Sequence, residues 1–577
     1  MFPTHRRKSS GIENQSPSRF WGRLLRQTLL ATAVATLLPV GAALAASAPG
    51  DVVGKVTVGY QGWFTAAGDG SPTNVWNHQN LEMWPDVREF VTTYAGSNFS
   101  QAGVTQPNFF GNLGNGQPAK MFTSYDQQVV NTHFKWMAQY GIDCAALQRF
   151  ASETTPGSKI KAERDGMAQK VMNAAAANGR KFYMMYDSKA TDAIEADWTD
   201  TIVGTLHLTS SSAYAYQNGK PVVCLWGIGV GGRGAAADWA NTVNWFKSQG
   251  CYVIGGTDGA FSWNTANAAA YNACDMIMPW RVGWTGAIAD FQNDDTKDLT
   301  YCNAHNIDYQ SSCYPGTAFY NSTGDTTRKN QIPRNNGNFM WNQFAAMRNA
   351  NVQSFYIAMF DEVNEATSIF KVAEDSSMIP AGNYFLTLDA DGVHCSSDFY
   401  LRLTGNGIRM VKGLIPYQAT HTTPYVGYEA EKLTVANYVS AAGGTVRNIG
   451  PDPSLGDGDG RILDSNNVND YVTFVLPNVA AGTYDVKVGL KKNNSRGQFQ
   501  LQVGRADNFS GTVSNVGPVI DEYSAIAAYT EVDLGAWTPG TTSDKWFRFL
   551  VKGKNASSAG TSYNYAIAVD YLTLTPQ

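Results

Sequence analysis

The chain has 577 residues, 43% hydrophobic and only 16% charged, with a formal net charge of −5. This length exceeds one ordinary hydrophobic core and suits a large domain followed by a smaller one. No long basic tract follows the N-terminal segment, which removes the electrostatic footprint of a nucleic-acid binder.

Residues 1–46 read as a signal peptide. Arg6, Arg7, Lys8, Arg19, Arg23 and Arg26 precede the apolar run LLATAVATLLPVGAALA, and Ala43-Leu44-Ala45 fits a cleavage site. A secreted or periplasmic protein is therefore expected. No later stretch is long and apolar enough to span a bilayer, so no stable membrane insertion is expected.

From about 54 to 378, short apolar runs alternate with helix-like segments. Strands are predicted at 53–64, 141–150, 180–187, 220–228, 251–256, 274–280 and 354–360, with helices at 126–140, 162–179 and 237–250. Such alternation predicts parallel strands covered by helices. Seven or eight units of this length fit an α/β fold of the (β/α)8 TIM-barrel type over 47–378; an open doubly wound sheet is the alternative. Residues 379–424 show little periodicity and read as a barrel extension and linker. From 425 to 577 alternation as in YDVKVGL and FQLQVG predicts an all-β sandwich of jelly-roll type, and the lack of an obvious carboxylate pair near a strand end suits it to binding rather than to catalysis.

Seven cysteines do not make a disulfide scaffold, and none shows metal-ligand spacing. Cys302 with Cys313, and Cys251 with Cys274, are possible pairs in an oxidising compartment.

A barrel gathers its chemistry where strands end. At predicted strand ends stand Gln61 and Trp63, Gln148 and Arg149, Tyr186 and Asp187, Trp226, Trp280 and Arg281, and, after the last strand, Glu362 and Glu365. Two carboxyl groups at close range split their pKa values, so that one can donate a proton while the other stays ionised. That is the pair glycoside hydrolysis uses. The tryptophans offer flat faces for sugar C–H surfaces. His78 is a candidate for a substrate hydroxyl, whereas His133 reads as structural. Arg281 and Arg334 either hold an anionic sugar or pair with Asp187 or Asp275. The run GIGVGGRG (227–234) lacks the Lys-Ser/Thr ending of a phosphate loop and reads as a plain loop.

VGYQGWF (58–64), residues 122–150, GKPVVCLWGIGV (219–230), MPWRVG (278–283), IPRNNGNFMWNQ (332–343) and MFDEVNEATSIFK (359–371) together resemble glycoside hydrolase families 71 and 99, the latter the endo-alpha-mannosidase and mannanase family. The resemblance covers about 50–375. The Asn-Glu-x-x-Glu-Gly-Thr pattern of the mannosidase family aligns with Asp361-Glu362-Val363-Asn364-Glu365-Ala366-Thr367. It implies that Glu362 acts as base on the sugar's own 2-hydroxyl and Glu365 as general acid/base, with retention. Asp361, Val363 and Ala366 depart from the pattern where substrate contacts are made. Tyr186 and Asp187 are secondary candidates for orienting substrate.

The C-terminal region is similar to carbohydrate-binding modules of families 6 and 35, through Tyr428-Glu429-Ala430-Glu431 and Asp570-Tyr571. That similarity implies a structural Ca2+ held by Glu429, Glu431 and Asp570, whose oxygens suit a hard cation; DGDGRILD (457–464) is a weaker candidate. No cofactor for catalysis is implied. The expected activity is that of a retaining hydrolase of α-linked, mannan-like polysaccharide or oligosaccharide. One alternative is an inverting alpha-1,3-glucanase-like enzyme using Asp187 with Glu365; another is a nonenzymatic glycan-binding protein.

Overall fold

The computed structural model describes residues 47–577 apart from 79, 96–110, 190–191, 451, 453–454, 456–458, 480, 505–508, 510–512, 560–561 and 577. The signal-peptide reading of 1–46 lies outside the described residues, as do Asp457 and Gly458 of DGDGRILD.

The first domain is built from strand β1 (Val56–Tyr60), helix α1 (Gln127–Gln139), β2 (Cys144–Phe150), α2 (Lys159–Ala177), β3 (Lys181–Asp187), β4 (Lys220–Ile228), α3 (Ala236–Ser248), β5 (Tyr252–Asp258), β6 (Met276–Trp280), α4 (Ile288–His305), β7 (Asp308–Cys313), α5 (Asn338–Asn349) and β8 (Ser354–Ile357). The strands pair in parallel in chain order, and β8 returns to β1 through Val56 opposite Phe355. The sheet is a closed eight-stranded barrel, as the alternation predicts. Every residue of β1 is buried, as helices outside and side chains inside require. Side chains start two of the helices: Asp126 accepts from Gln128 N and Ser158 from Lys161 N, both at 3.2 Å.

β7 escapes sequence prediction because Tyr309, Gln310, Ser311 and Ser312 are polar yet buried. Their hydrogen bonds explain the burial: Ser311 Oγ donates to Asp295 Oδ1 at 2.7 Å, and Gln310 Nε2 to Thr57 Oγ1 at 3.3 Å. An apolar-period reading is blind to a strand whose polar side chains are satisfied by neighbouring elements.

Residues 379–424 hold more regular structure than expected. Helix α6 (Phe399–Val411) packs on α5, where a Cβ on Gly407 would lie 2.3 Å from the Phe344 ring, so only glycine permits the approach. Trp341 Nε1 donates to Gln418 O at 2.9 Å and ties this extension to the barrel.

The second domain comprises β9 (Gly427–Glu429), β10 (Thr434–Val439), β11 (Val446–Asn448), β12 (Arg461–Leu463), β13 (Tyr471–Val479), β14 (Tyr484–Lys492), β15 (Gly497–Gly504), β16 (Ser514–Asp521), β17 (Ala528–Trp537), β18 (Ser543–Lys554) and β19 (Ile567–Pro576). One antiparallel sheet runs β11-β12-β19-β14-β17 with β9 also on β19; the other runs β10-β13-β18-β15-β16. Phe499, Leu501 and Val503 alternate inward against Val486, Val488 and Leu490, giving the sandwich a core separate from that of the barrel. Arg402 fixes the end of the extension that leads into the sandwich: Nη1 donates to Pro424 O at 2.6 Å while Nε pairs with Asp398 at 2.7 Å.

All seven cysteines are buried free thiols, which corrects both expected disulfide pairs. Burial raises the thiol pKa in each case; Cys251 and Cys274 stand at about 12, as uncharged, unreactive core groups. No helix among the described residues is long and apolar enough to cross a membrane.

Candidate active site

β8 ends at Ile357, and residues 358–368 fold back over the C-terminal mouth of the barrel. This loop is sewn down by its backbone. Val363 O accepts from Glu82 N at 2.9 Å and Met83 N at 3.0 Å, and Thr367 O accepts from Met359 N at 3.0 Å. Arg334, also buried, donates through Nη2 to Ala366 O at 2.8 Å and Ser368 O at 2.7 Å. Ala366 lies at φ 55°, in the left-handed region that favours glycine. The glycine of the mannosidase pattern is the residue this backbone prefers.

The loop presents three carboxylates in different settings. Asp361 is fully buried, its oxygens accepting from Gln61 N at 2.8 Å and Gly62 N at 2.9 Å, so it anchors β1 to the loop and does not face the cleft. Burial nevertheless pushes its carboxyl up to about 6. Glu362 is held at both oxygens, by the Gln61 side-chain amide on Oε1 and by Thr367 Oγ1 on Oε2 at 2.6 Å. Burial and then the charge of Glu365 raise its pKa well above the usual range, while these two donors oppose the rise. Glu365 is half-buried, and burial raises it too, with the charge of Glu82 adding to the effect. Glu82 is itself buried, and its Oε1 accepts from Ser322 N at 3.0 Å.

Glu365 opens into a cleft of about 460 Å³, whose lining includes Trp63, Phe150, Glu153, Phe319 and Asn364. Trp63 lies parallel to Phe150, with centroids 5.7 Å apart and planes at 14°. Across the mouth, Trp226 meets Trp280 edge-on at 5.5 Å, and the Arg233 guanidinium lies 4.5 Å over Trp226. Gln148 borders the barrel interior, its amide 3.6 Å from Met359 Sδ. Gln61, Trp63, Gln148, Trp226, Trp280, Glu362 and Glu365 thus gather at one end of the barrel. A polar hollow of about 370 Å³ around Ser47, Tyr252 and Asp308 lies at the opposite end and contains none of the predicted site residues.

Several predicted residues do other work. Arg149 is buried and paired with Asp165 at 2.6 Å and Asp197 at 2.7 Å, and Tyr186 donates to the other oxygen of Asp197 at 2.8 Å, so neither reaches substrate. Arg281 pairs with Asp295 at 3.1 Å and with Asp298 on α4, rather than with Asp187, Asp275 or a sugar. His78 is enclosed by Phe64, Trp76 and Phe122, and burial pushes it down to about 4, so it is neutral and shielded. Asp187 pairs with Arg233 and Asp275 with Lys247, while Arg334 holds backbone carbonyls. Long basic side chains at strand ends reached back to helix carboxylates because a buried charge without a partner is costly.

Thr367, Phe150, Glu82 and Arg233 join the site without having been singled out. Thr367 was findable, since it occupies the last position of the Asn-Glu-x-x-Glu-Gly-Thr pattern. The contributions of Glu82 and Arg233 come only from folding.

In the sandwich, no three His, Cys, Asp or Glu side chains among the described residues are drawn together as a metal-ligand set. Glu429 Oε2 is nonetheless buried without a hydrogen-bond donor, and burial followed by the charges of Asp570, Asp398 and Glu431 raises the Glu429 carboxyl well above its usual range.

No family model matches this chain. No curated protein matches it either. Among solved structures, it is similar to the GH99 endo-alpha-mannosidase from Bacteroides thetaiotaomicron, at 15% identity over 63% of this chain and 98% of that one, with a TM-score of 0.45. A glycoside hydrolase-like protein shows 12% identity over 64% and 98%, with a TM-score of 0.41. A Paenibacillus xanthan lyase shows 28% identity over 27% of this chain and 13% of that one, with a TM-score of 0.22. At such distances the likeness assigns no family, and the cleft has to carry the functional reading.

Proposed function

We propose that this chain is a retaining glycoside hydrolase cleaving α-glycosidic bonds in a polysaccharide or oligosaccharide, with α-mannan the first substrate to test. The observation that supports it is the pairing of Glu362, clamped at both oxygens, with Glu365, which opens into an aromatic-lined cleft three residues along the same loop. Glu362 takes the proton of the sugar 2-hydroxyl as that oxygen attacks C1, and Glu365 protonates the departing oxygen. Water then opens the 1,2-anhydro sugar, with Glu365 accepting its proton and Glu362 returning one to O2. Burial raises both carboxyls, so position assigns the roles: Glu365 opens into the cleft where a departing oxygen can take its proton, while two donors on Glu362 favour its charged form. Asp187 is engaged by Arg233, which argues against its serving as the base of an inverting pair with Glu365.

The reading includes export by the N-terminal signal and glycan binding by the sandwich, with Glu429, Glu431 and Asp570 drawn together only when they bind Ca2+. The like charges and the Glu429 oxygen lacking a donor fit a hard cation, which would hold that corner of the domain together.

The test is incubation of the purified protein with α-mannans and α-glucans, following products by mass spectrometry and the first-formed anomer by NMR. Wild type should release oligosaccharides with the anomeric configuration retained, and Glu362→Gln and Glu365→Gln should each lose at least about 100-fold in kcat. First-formed products of inverted configuration would refute the anhydro route. Unchanged turnover in either variant would refute the assignment of that residue.

A further inference from the structure

β5 and β6 end on the far side of the mouth from β1, the strand whose following loop lines the cleft with Trp63. Just past these ends, the chain places two more tryptophans. Trp284 follows Trp280 on the turn after β6, where Trp284 N donates to Arg281 O at 3.0 Å. Trp263 follows β5, with its ring centroid 6.2 Å from that of Trp284 and the two planes inclined at 34°. At 42% exposure Trp263 is the most exposed tryptophan among the described residues.

The pair rests on a rigid base. A Cβ on Gly259 would lie 2.8 Å from the Trp284 ring and 2.9 Å from Trp280 O, so the β5 loop can pass under Trp284 only as glycine. The Arg281 guanidinium sits 5.7 Å from the Trp284 ring and is fixed by Asp295 and Asp298 of α4. From the same turn of that helix, Lys297 Nζ lies 4.8 Å over the Trp263 ring. Scattered exposed aromatics need no explanation. Here two indoles are held at a fixed angle at the catalytic end of the barrel, just past the ends of the strands that carry them.

We infer that Trp263 and Trp284 form a distal subsite that stacks a pyranose ring of the same glycan whose bond is cut at Glu362 and Glu365. This rests on the proposed hydrolase activity and deepens it. A chain held on both sides of the mouth is a polymer or long oligosaccharide, and the cut falls within it. The C–H face of a neutral sugar fits the indoles, and its hydroxyls fit the Lys297 ammonium beside them.

The test uses the full chain with soluble yeast α-mannan, dextran and carboxymethyl α-1,3-glucan. For the polymer that is cut, kcat/KM is measured on it and on its shortest cleaved oligosaccharide. In Trp263→Ala the polymer-to-oligosaccharide ratio of kcat/KM should fall about tenfold, and Trp263→Tyr should restore most of it. Because Trp263 is exposed, this variant should fold; Trp284→Ala, with its melting temperature checked, should show the same selective loss. An unchanged ratio in Trp263→Ala overturns the subsite and leaves the hydrolase reading standing. If no polymer is cut, the hydrolase reading fails, and the subsite is judged by affinity electrophoresis in the same three polymers. Weaker retardation of Trp263→Ala than of wild type supports it, and equal mobility in all three overturns it.

Discussion

Thr367 donates its hydroxyl to Oε2 of Glu362 at 2.6 Å, while the Gln61 amide occupies Oε1. A carboxylate gripped at both oxygens keeps one orientation and is favoured in its charged form, against the burial that disfavours it. Thr367→Val keeps the shape and removes one donor. A hydrogen bond to a charged group contributes about 1.5–3 kcal/mol. The expected result is a roughly 10- to 100-fold fall in kcat/KM, with the acidic limb of the pH profile moved to higher pH. Thr367→Ser should retain most activity. A pH–rate profile of the three proteins checks this.

Burial places Asp361 at about 6, against the ordinary aspartate value of 3.8. A carboxyl whose pKa is raised in the folded state binds its proton more tightly there. Stability present below about pH 4 is therefore lost as pH rises from about 4 to about 6. The loss is about 3 kcal/mol. Asp361→Asn cannot titrate, so its stability relative to wild type should improve between pH 4 and pH 7 by an amount of that order. Urea unfolding at the two pH values measures the difference. A difference that does not change with pH would contradict the assignment.

Arg281 is locked to Asp295 and Asp298 beneath the mouth. Arg281→Gln leaves two buried carboxylates without their cation and should cost about 3–5 kcal/mol. KM on the shortest cleaved oligosaccharide should change little, because the side chain does not line the cleft around Glu365. Thermal unfolding alongside steady-state kinetics separates this structural role from the substrate contact expected of its sequence position.

Trp63 lies flat against Phe150 on the wall of the cleft that also contains Glu365. Trp63→Ala should raise KM about tenfold with a smaller effect on kcat, the mark of lost binding shared by substrate and transition state. Trp63→Phe should recover much of the loss. Kinetics on the best substrate of the panel decide it.

Much of the architecture was legible in the sequence. Buried parallel strands read as runs of Val, Ile, Tyr and Met, and the half-buried strands of the sandwich alternate. β7 was not legible, because Gln310, Ser311 and Ser312 are buried through hydrogen bonds to groups contributed by other elements. The carboxylate pair was legible because three residues of separation keep it together in any compact loop. The polar residues at strand ends were only half legible. Strand position places Gln61, Arg149, Tyr186 and Arg281 near one end of the barrel, but it does not say which way each side chain turns.

By itself, the sequence determined the alternation that yields a barrel and then a sandwich, and it determined the juxtaposition of Glu362 and Glu365, because both depend on spacing along the chain. Only the tertiary structure decided which polar groups face the cleft. Gln61 meets Glu362 across 301 residues, and Arg334 reaches Ala366 across 32. Arg149 and Arg281 turn to buried helix carboxylates instead. The choice is energetic: a charge withdrawn from water stays where partners satisfy it, and which partners are present is a property of the closed barrel rather than of any one segment.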